Sequence, residues 1–125
     1  MHPTMGFVHV RFRVFSPDRT KSSEVWILVD TGSTLTWLPD GVLRGLGIEP
    51  LGVQDFQTAG GGVLRRPVGE ALVELEGVRY HVPVAFGGPE DVPLLGVTAL
   101  EILGFEVDPV THRLRKAPYL VLAAA

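Results

Sequence analysis

Glycine and proline interrupt this chain so often that long helices are hard to fit into it. Together they make up a fifth of the 125 residues, with 15 glycines and 10 prolines. Both residues weaken helix interiors and favour turns. In the segments between these glycines and prolines, residue types suited to strands outnumber those suited to long helices. The sequence therefore predicts a small, turn-rich, mostly β domain.

Size, charge and cysteine content narrow the class of protein further. Apolar residues make up 46% of the chain, enough for one buried core, so we expect a single domain over residues 1–125. The net charge is −3, which argues against nucleic-acid binding, since that requires a basic face. The absence of cysteine excludes disulfides, thiolate zinc sites and a cysteine nucleophile. The four histidines lack metal-ligand spacing, so neither a metal nor another cofactor is expected.

Hydropathy gives no indication of a membrane segment or a leader. The longest apolar run covers residues 119–125, far short of the roughly 20 residues that span a bilayer. Residues 1–14 alternate apolar with basic side chains and lack the continuous apolar stretch of a signal peptide. We therefore expect a soluble, cytoplasmic protein with no membrane partner.

The strands are marked by apolar periodicity. Every second residue from Val8 to Val14 is apolar, as in a half-buried strand, whereas residues 25–29 form an unbroken apolar run that predicts a strand buried on both faces. A glycine-rich turn between extended arms predicts a hairpin over residues 56–68. Further strands are expected near residues 71–75, 78–86, 94–96, 112–116 and 119–122. Seven to nine strands without a βαβ rhythm indicate an all-β fold, either a barrel or an orthogonal sandwich.

Two short helices complete the expected elements. Thr98 and Glu101 have the spacing of a capping box, which predicts a helix over residues 98–103 that ends at Gly104. Residues 42–48 are predicted to hold a short helical turn.

The segment that bears on chemistry delivers a carboxylate from an apolar strand into a tight turn. Residues 25–29 lead directly into Asp30, Thr31, Gly32 and Ser33. Alone, this tetrapeptide is compatible with a simple Asx turn, in which Asp30 accepts a hydrogen bond from a nearby backbone N–H. Short motifs occur by chance too often to establish a function by themselves.

Further segments make the sequence resemble the aspartic proteases, the clan of pepsin and the retroviral proteases. Residues 36–39, Thr-Trp-Leu-Pro, follow the Asp-Thr-Gly turn at the offset found in pepsin-like members. The apolar pair and glycine that precede a short helix are matched by Leu94, Leu95 and Gly96. The glycine-rich flap is matched by Thr58, Ala59, Gly60, Gly61 and Gly62. The resemblance implies a closed acid-protease-type β-barrel with one short helix, a flap hairpin and a ψ-type loop at residues 94–96.

The resemblance also implies a mechanism. Two carboxylates in contact cannot both ionise, so they share one proton and supply the base and the acid that peptide hydrolysis needs. The backbone N–H groups of Thr31 and Gly32 are expected to favour a charged Asp30, and Ser33 is expected to donate its hydroxyl to the outer carboxylate oxygen. In the family, the threonine also bonds to its counterpart across a two-fold axis, a role implied here for Thr31.

A single Asp-Thr-Gly turn supplies only half of such a site. The other aspartates lie in loop or turn contexts with no Thr-Gly after them: Asp18, Asp40, Asp55, Asp91 and Asp108. The simplest resolution is a homodimer of the retroviral type, with one Asp30 from each chain and a peptide or protein as substrate. The apolar stretch at residues 119–122 either pairs across the dimer axis or packs on its own chain.

The candidate flap departs from the pepsin pattern. In pepsin-like enzymes the tryptophan that corresponds to Trp37 supports a flap tyrosine, but residues 56–68 contain no tyrosine. Phe56 could occupy that space without a hydrogen bond, in a flap of the glycine-tipped retroviral kind, or Trp37 could be an ordinary core residue. Arg65 and Arg66 are expected to be a solvated flank of the hairpin, and the alternative is that they influence which substrate charges are preferred.

Two functions follow from these observations. The first is an aspartic endopeptidase active as a homodimer. The second is a non-catalytic dimeric module of the same fold that binds a peptide or protein partner. The intact Thr-Gly-Ser sequence after Asp30 favours the endopeptidase, since a binding module has no need of that set of residues.

Overall fold

Strands dominate the computed structural model, which describes residues 8–118. They make up 51% of the described residues and helices 12%, which confirms the expected mostly β chain. The elements in chain order are β1 (Val8–Phe15), β2 (Ser22–Val29), β3 (Thr36–Pro39), α1 (Asp40–Gly45), β4 (Gly52–Gln57), β5 (Val63–Leu75), β6 (Val78–Gly87), β7 (Leu94–Leu95), α2 (Val97–Leu103), β8 (Phe105–Val107) and β9 (Leu114–Lys116).

Seven of the strands form one sheet in the order β1-β2-β7-β3-β6-β5-β4, and β8 pairs with β9 in a small second sheet. The strand β1 also pairs with β5, so the strand order of the large sheet returns to its start. Short β7 lies between β2, with which it is parallel, and β3, with which it is antiparallel. This insertion brings residues that are distant in sequence to one place at the ends of β2 and β7.

The sheet encloses a core of aliphatic and aromatic side chains. Phe12, Val14 and Ile27 contribute from β1 and β2, and Leu95 from β7, all with no exposed surface. The inner face of α2 adds Ala99, Leu100 and Leu103. Burial of these side chains supplies the main stabilising free energy of the fold.

The prediction that β2 is buried on both faces is wrong. Val25, Ile27 and Val29 point into the core, but Trp26, on the opposite face, is 62% exposed. Antiparallel pairing with β1 leaves that face partly open to solvent, where the Trp26 ring stacks on His9 with 5.5 Å between centroids. The apolar run is therefore a half-buried strand with an aromatic pair on its outer face.

The helix after β7 begins differently from the prediction. The capping residue is Gly96 and not Thr98, and no side chain caps the helix. The first N–H groups are satisfied by a neighbouring loop, since the Val97 N–H donates to the Ser33 carbonyl at 2.8 Å and the Thr98 N–H to the Thr34 carbonyl at 3.1 Å. A hydroxyl cap is therefore unnecessary. Gly104 ends the helix with φ 83°, as predicted.

The other predictions shift mainly at their boundaries. The helical turn expected at residues 42–48 is α1, which begins at Asp40 directly after Pro39 and ends at Gly45. The second hairpin arm and the strand expected near residues 71–75 form one 13-residue strand, β5. Pro83 lies in a part of β6 that pairs with β5 alone, consistent with the expected edge position. The terminal strand expected at residues 119–122 lies outside the described residues.

Gly96 packs so closely against the loop after Asp30 that no side chain fits there. A Cβ at this position would lie 2.3 Å from the Leu35 carbonyl oxygen and 2.7 Å from that of Ser33. Both obstacles are backbone atoms, which cannot move aside as a flexible side chain would. Residues 33–35 and 96–98 thus form one tightly packed unit directly beside Asp30.

We expect Gly96→Ala to lower the free energy of unfolding by about 3 kcal/mol, the upper end of overpacking effects. Gly41→Ala is the matched control, because a Cβ there meets nothing within 4 Å and glycine is unfavourable inside a helix. Urea unfolding of the two variants measures the difference. Equal stability of both variants would contradict the close approach at Gly96.

Candidate active site

Asp30 lies immediately after β2, where the backbones of β2 and β7 hold it in place. Val29 pairs with Leu95 in the parallel ladder, and the Asp30 N–H donates to the Leu95 carbonyl at 2.9 Å. The residue is therefore anchored by backbone hydrogen bonding at the junction of two strands. Its side chain is partly exposed and can meet a ligand.

The residues after Asp30 form the expected tight turn. The Gly32 N–H donates to Asp30 Oδ1 at 2.9 Å, and the Ser33 N–H donates to the Asp30 carbonyl at 3.1 Å. The first bond orients the carboxylate. The turn agrees with the Asx geometry, and so with both the structural and the functional interpretation of this segment.

Ser33 does not make the bond that the sequence suggested. Its hydroxyl donates to the Leu35 carbonyl at 2.8 Å and not to the Asp30 carboxylate. Residues 33–35 pack against Gly96, and in this packed loop the Ser33 side chain points toward the backbone of its own loop. Ser33 therefore stabilises the loop beside the carboxylate. The Gly32 N–H is the group that donates to the Asp30 carboxylate.

Thr36 is a site residue that the sequence analysis missed. It is fully buried, and its Oγ1 accepts a hydrogen bond from the Gly96 N–H at 3.0 Å. This bond ties β3 to the residues that follow β7, beneath Asp30. The available signal was a hydroxyl residue within the otherwise apolar sequence of residues 35–38, where a buried polar group needs a partner.

A cleft of ≈ 690 Å³ opens above Asp30, between the strand ends and the β4–β5 hairpin. Its floor includes Gly32, Ser33 and Leu94, and its roof includes Thr58 and Ala59. The remaining walls are contributed by Thr34, Leu35, Trp37, Gln54, Asp55, Phe56, Gln57 and Leu64. Sequence-predicted residues of three separate segments thus meet around one carboxylate.

The other sequence-predicted residues lie outside this cleft lining. Leu95 and Gly96 support the floor from below through the packing described above. Exposed Thr31 faces a separate groove of ≈ 510 Å³, which α2 and β8 also line. Gly60, Gly61 and Gly62 form the exposed tip of the hairpin.

The hairpin tip is closed by Thr58 at its start. The Thr58 N–H donates to the Gly62 carbonyl at 2.8 Å, and the Thr58 Oγ1 accepts from the Gly62 N–H at 3.0 Å. Gly61 has φ 91°, a conformation that side chains rarely adopt. The glycines therefore serve the turn geometry that the sequence predicted.

Phe56 covers Trp37, the arrangement suggested for a hairpin without tyrosine. The two rings meet edge to face, with centroids 4.8 Å apart and an angle of 60° between their planes. Such a pair adds about 0.5–1.5 kcal/mol beyond the burial of apolar area. The contact joins the roof of the cleft to β3.

The two arginines of the hairpin have different environments. Arg65 pairs with Asp55 across the hairpin at 2.8 Å, and its side chain is 73% exposed, as expected of a solvated flank. Arg66 is only 26% exposed and bonds to Asp91, in the loop before β7, at 2.7 Å. The solvated-flank prediction is therefore wrong for Arg66. The Arg66 guanidinium lowers the pKa of the Asp91 carboxyl, and the Gly88 N–H adds to this effect.

The described part of the chain contains no group of three or more His, Asp or Glu side chains placed to hold a metal ion. Within residues 8–118, no helix is both long and apolar enough to cross a bilayer.

The family model of the aspartyl proteases matches residues 18–107, which is more than half of the chain. Among solved structures, the solution structure of the simian foamy virus (mac) protease matches with a TM-score of 0.54 and 18% sequence identity. The match covers 77% of this chain and 94% of that protein. A search of curated proteins finds no match.

The matched family segment includes the strand before Asp30, the cleft, the hairpin and the helix after β7. The similarity to the foamy virus protease, at this level of identity, concerns the fold. Both findings agree with the resemblance drawn from the sequence, and the chain belongs to the aspartyl protease family, with a fold of the retroviral protease type.

Proposed function

We propose that this protein is an aspartic endopeptidase that acts as a homodimer, with Asp30 of each chain forming the catalytic pair. The observation that carries the proposal is the position of Asp30 at the floor of a cleft, beneath a glycine-tipped hairpin. Among the described residues, the only other aspartate that lines the cleft is Asp55, and both of its oxygens accept hydrogen bonds from Arg65. This pairing of Asp55 supports our assignment of the second catalytic carboxylate to Asp30 of a second copy.

The proposed mechanism uses one proton shared between two carboxylates. One Asp30 accepts a proton from water, which attacks the scissile carbonyl, while the other supplies the proton needed by the product. The bond from Gly32 to Asp30 Oδ1 supports a fixed orientation of the carboxylate during this exchange. The proposal assigns to Thr31, which is exposed, a bond to its counterpart across the two-fold axis.

The remaining family features belong to the same proposal. The ring of strands is the closed barrel of a single protease domain, and the hairpin with its tip at residues 58–62 is the flap that closes on substrate. Residues 94–96 form the ψ-type loop that supports Asp30. Trp37, Phe56 and Leu64 give the cleft apolar walls, which favours apolar substrate side chains near the scissile bond. We also propose that the protein acts in the cytoplasm.

The alternative is a non-catalytic dimeric module that binds a peptide in the same cleft. The Asx turn of Asp30 is compatible with it, because such turns occur without catalysis. The two hypotheses differ in what Asp30 does, so substitution of this residue separates them.

Asp30→Asn is expected to lower peptide cleavage by about 10²- to 10⁴-fold, because the amide preserves shape but cannot exchange the proton. Initial rates on an unstructured protein such as casein measure the effect. Asp40→Asn is the control, since Asp40 lies on α1 and pairs with Arg44 at the surface. Near-normal cleavage by the Asp30 variant, with the fold intact, would refute the assignment.

Activity should fall faster than in proportion to protein concentration when the enzyme is diluted, because each site needs two chains. Specific activity and light scattering, measured over the same concentration range, test this. Deletion of residues 119–125 should weaken the dimer if that stretch pairs across the axis. A monomer with constant specific activity would contradict the homodimer.

The cleavage rate is expected to follow a bell-shaped pH profile and to be lost well above neutral pH, since the reaction needs the shared proton. Casein hydrolysis from acid to alkaline pH, with and without a chelator, provides the measurement. A rate that rises steadily into alkali, or that requires an added divalent metal, would exclude the carboxylate pair as the mechanism.

A further inference from the structure

The β4–β5 hairpin presents two different faces, and the register of its strands shows which side chains share each one. Phe56 pairs with Leu64, and Gln54 pairs with Arg66 two positions further along. Side chains alternate along a strand, so Arg66 lies on the same face as Leu64, which lines the cleft. Arg65, on the opposite face, is turned to solvent.

Arg66 contacts a firmly held acceptor. Its Nε and one terminal nitrogen donate to the two carboxylate oxygens of Asp91 at 2.7 Å and 3.3 Å. Asp91 Oδ2 also accepts from the Gly88 N–H at 2.7 Å, and the Asp91 N–H donates to the Gly88 carbonyl at 3.0 Å. The Asp91 side chain is 15% exposed, so water screens the pair less than a surface ion pair.

The Asp91 turn is joined closely to the floor of the cleft. Leu94, three residues later, lines the cleft and pairs with both Leu28 and Trp37. The Arg66–Asp91 pair therefore connects the base of the hairpin to the segment that enters the floor. Together with the contact between Phe56 and Trp37, it gives the hairpin two side-chain attachments in addition to the pairing of β5 with β6, which begins at Val68.

We propose that the Arg66–Asp91 ion pair is a positioning element that sets how closely the hairpin covers the cleft, and so how tightly the cleft holds a peptide. Only the part of this inference that concerns peptide binding rests on the proposed peptidase function. The position of the hairpin can be measured without catalysis. When Arg66 is lost, the hairpin keeps its pairing with β6 from Val68 onwards, but the part beyond that point loses one of its two side-chain attachments and Phe56 uncovers Trp37. The cleft then opens and binds substrate less well.

The chain has two tryptophans, Trp26 and Trp37, and one of them reports on the hairpin. Trp26 lies on the outer face of β2 and is 62% exposed, so Trp26→Phe leaves Trp37 as the single indole without disturbing the core. Acrylamide quenching of Trp37 fluorescence then measures how well Phe56 shields it. In this background, Arg66→Gln removes the charge and the two-point contact while the bond between Asp91 and Gly88 stays.

We expect Arg66→Gln to raise the quenching constant of Trp37 by about twofold and the KM for an unstructured protein substrate by roughly tenfold, with little change in kcat. Arg65→Gln is the matched control, because it removes a neighbouring arginine–aspartate pair on the exposed face. It should leave the quenching constant near that of the parent. A folded Arg66→Gln protein with the quenching and KM of the parent would overturn the proposal.

A second variant covers the case in which Arg66→Gln does not fold. Asp91→Asn keeps an oxygen for the Gly88 N–H but loses the charge, and it should raise quenching in the same way. Failure of both variants to fold would also overturn the proposal, since the pair would then be a requirement of folding.

If quenching rises but the parent protein cleaves nothing, the positioning role stands and the peptidase function fails. If the parent cleaves and quenching is unchanged, only the positioning role fails.

Discussion

The close packing of Gly96 against the backbone at residues 33–35 is the constraint on which the rest of this structure depends. It permits β7 to run between β2 and β3, so that the Asp30 N–H can bond to the Leu95 carbonyl. The same contact places the carbonyl groups of Ser33 and Thr34 where they satisfy the first N–H groups of α2. A helix start, a strand junction and a carboxylate turn are thus fixed by one position that lacks a side chain.

Rigid backbone support explains why so little of the site depends on side-chain contacts. The Asp30 carboxylate is oriented by the Gly32 N–H, and buried Thr36 ties β3 to Gly96 beneath it. Such an arrangement holds one carboxylate in place and leaves it accessible from the cleft. In the proposed homodimer, the same turn in a second copy supplies the other carboxylate.

The outer part of the hairpin that roofs the cleft has fewer attachments than the floor. The floor is continuous with the sheet and the core, and β5 joins the hairpin to the same sheet through its pairing with β6 from Val68 onwards. Beyond that point, the contacts described above are one aromatic pair and one ion pair. Segments held by few contacts open at a lower free energy than the strands of a core. This difference is consistent with the proposed binding of a peptide in the cleft.

The sequence by itself determined the mostly β class, the turn around Asp30, the glycine-rich hairpin tip and the end of α2 at Gly104, because alternation and glycine positions are local signals. It also pointed to the aspartyl protease family through three motifs in order.

Tertiary structure decided the rest. Ser33 and Thr98 were predicted to use their hydroxyls locally, but residues 33–35 pack against residues 96–98, and backbone groups across that contact supply the hydrogen bonds. Arg65 and Arg66 are identical in local sequence terms, and only the approach of Asp91, 25 residues further along the chain, distinguishes them. Trp26 belongs to an apolar run that a local pattern cannot divide into an inner and an outer face. That division depends on which other strands and helices pack against each side of the sheet.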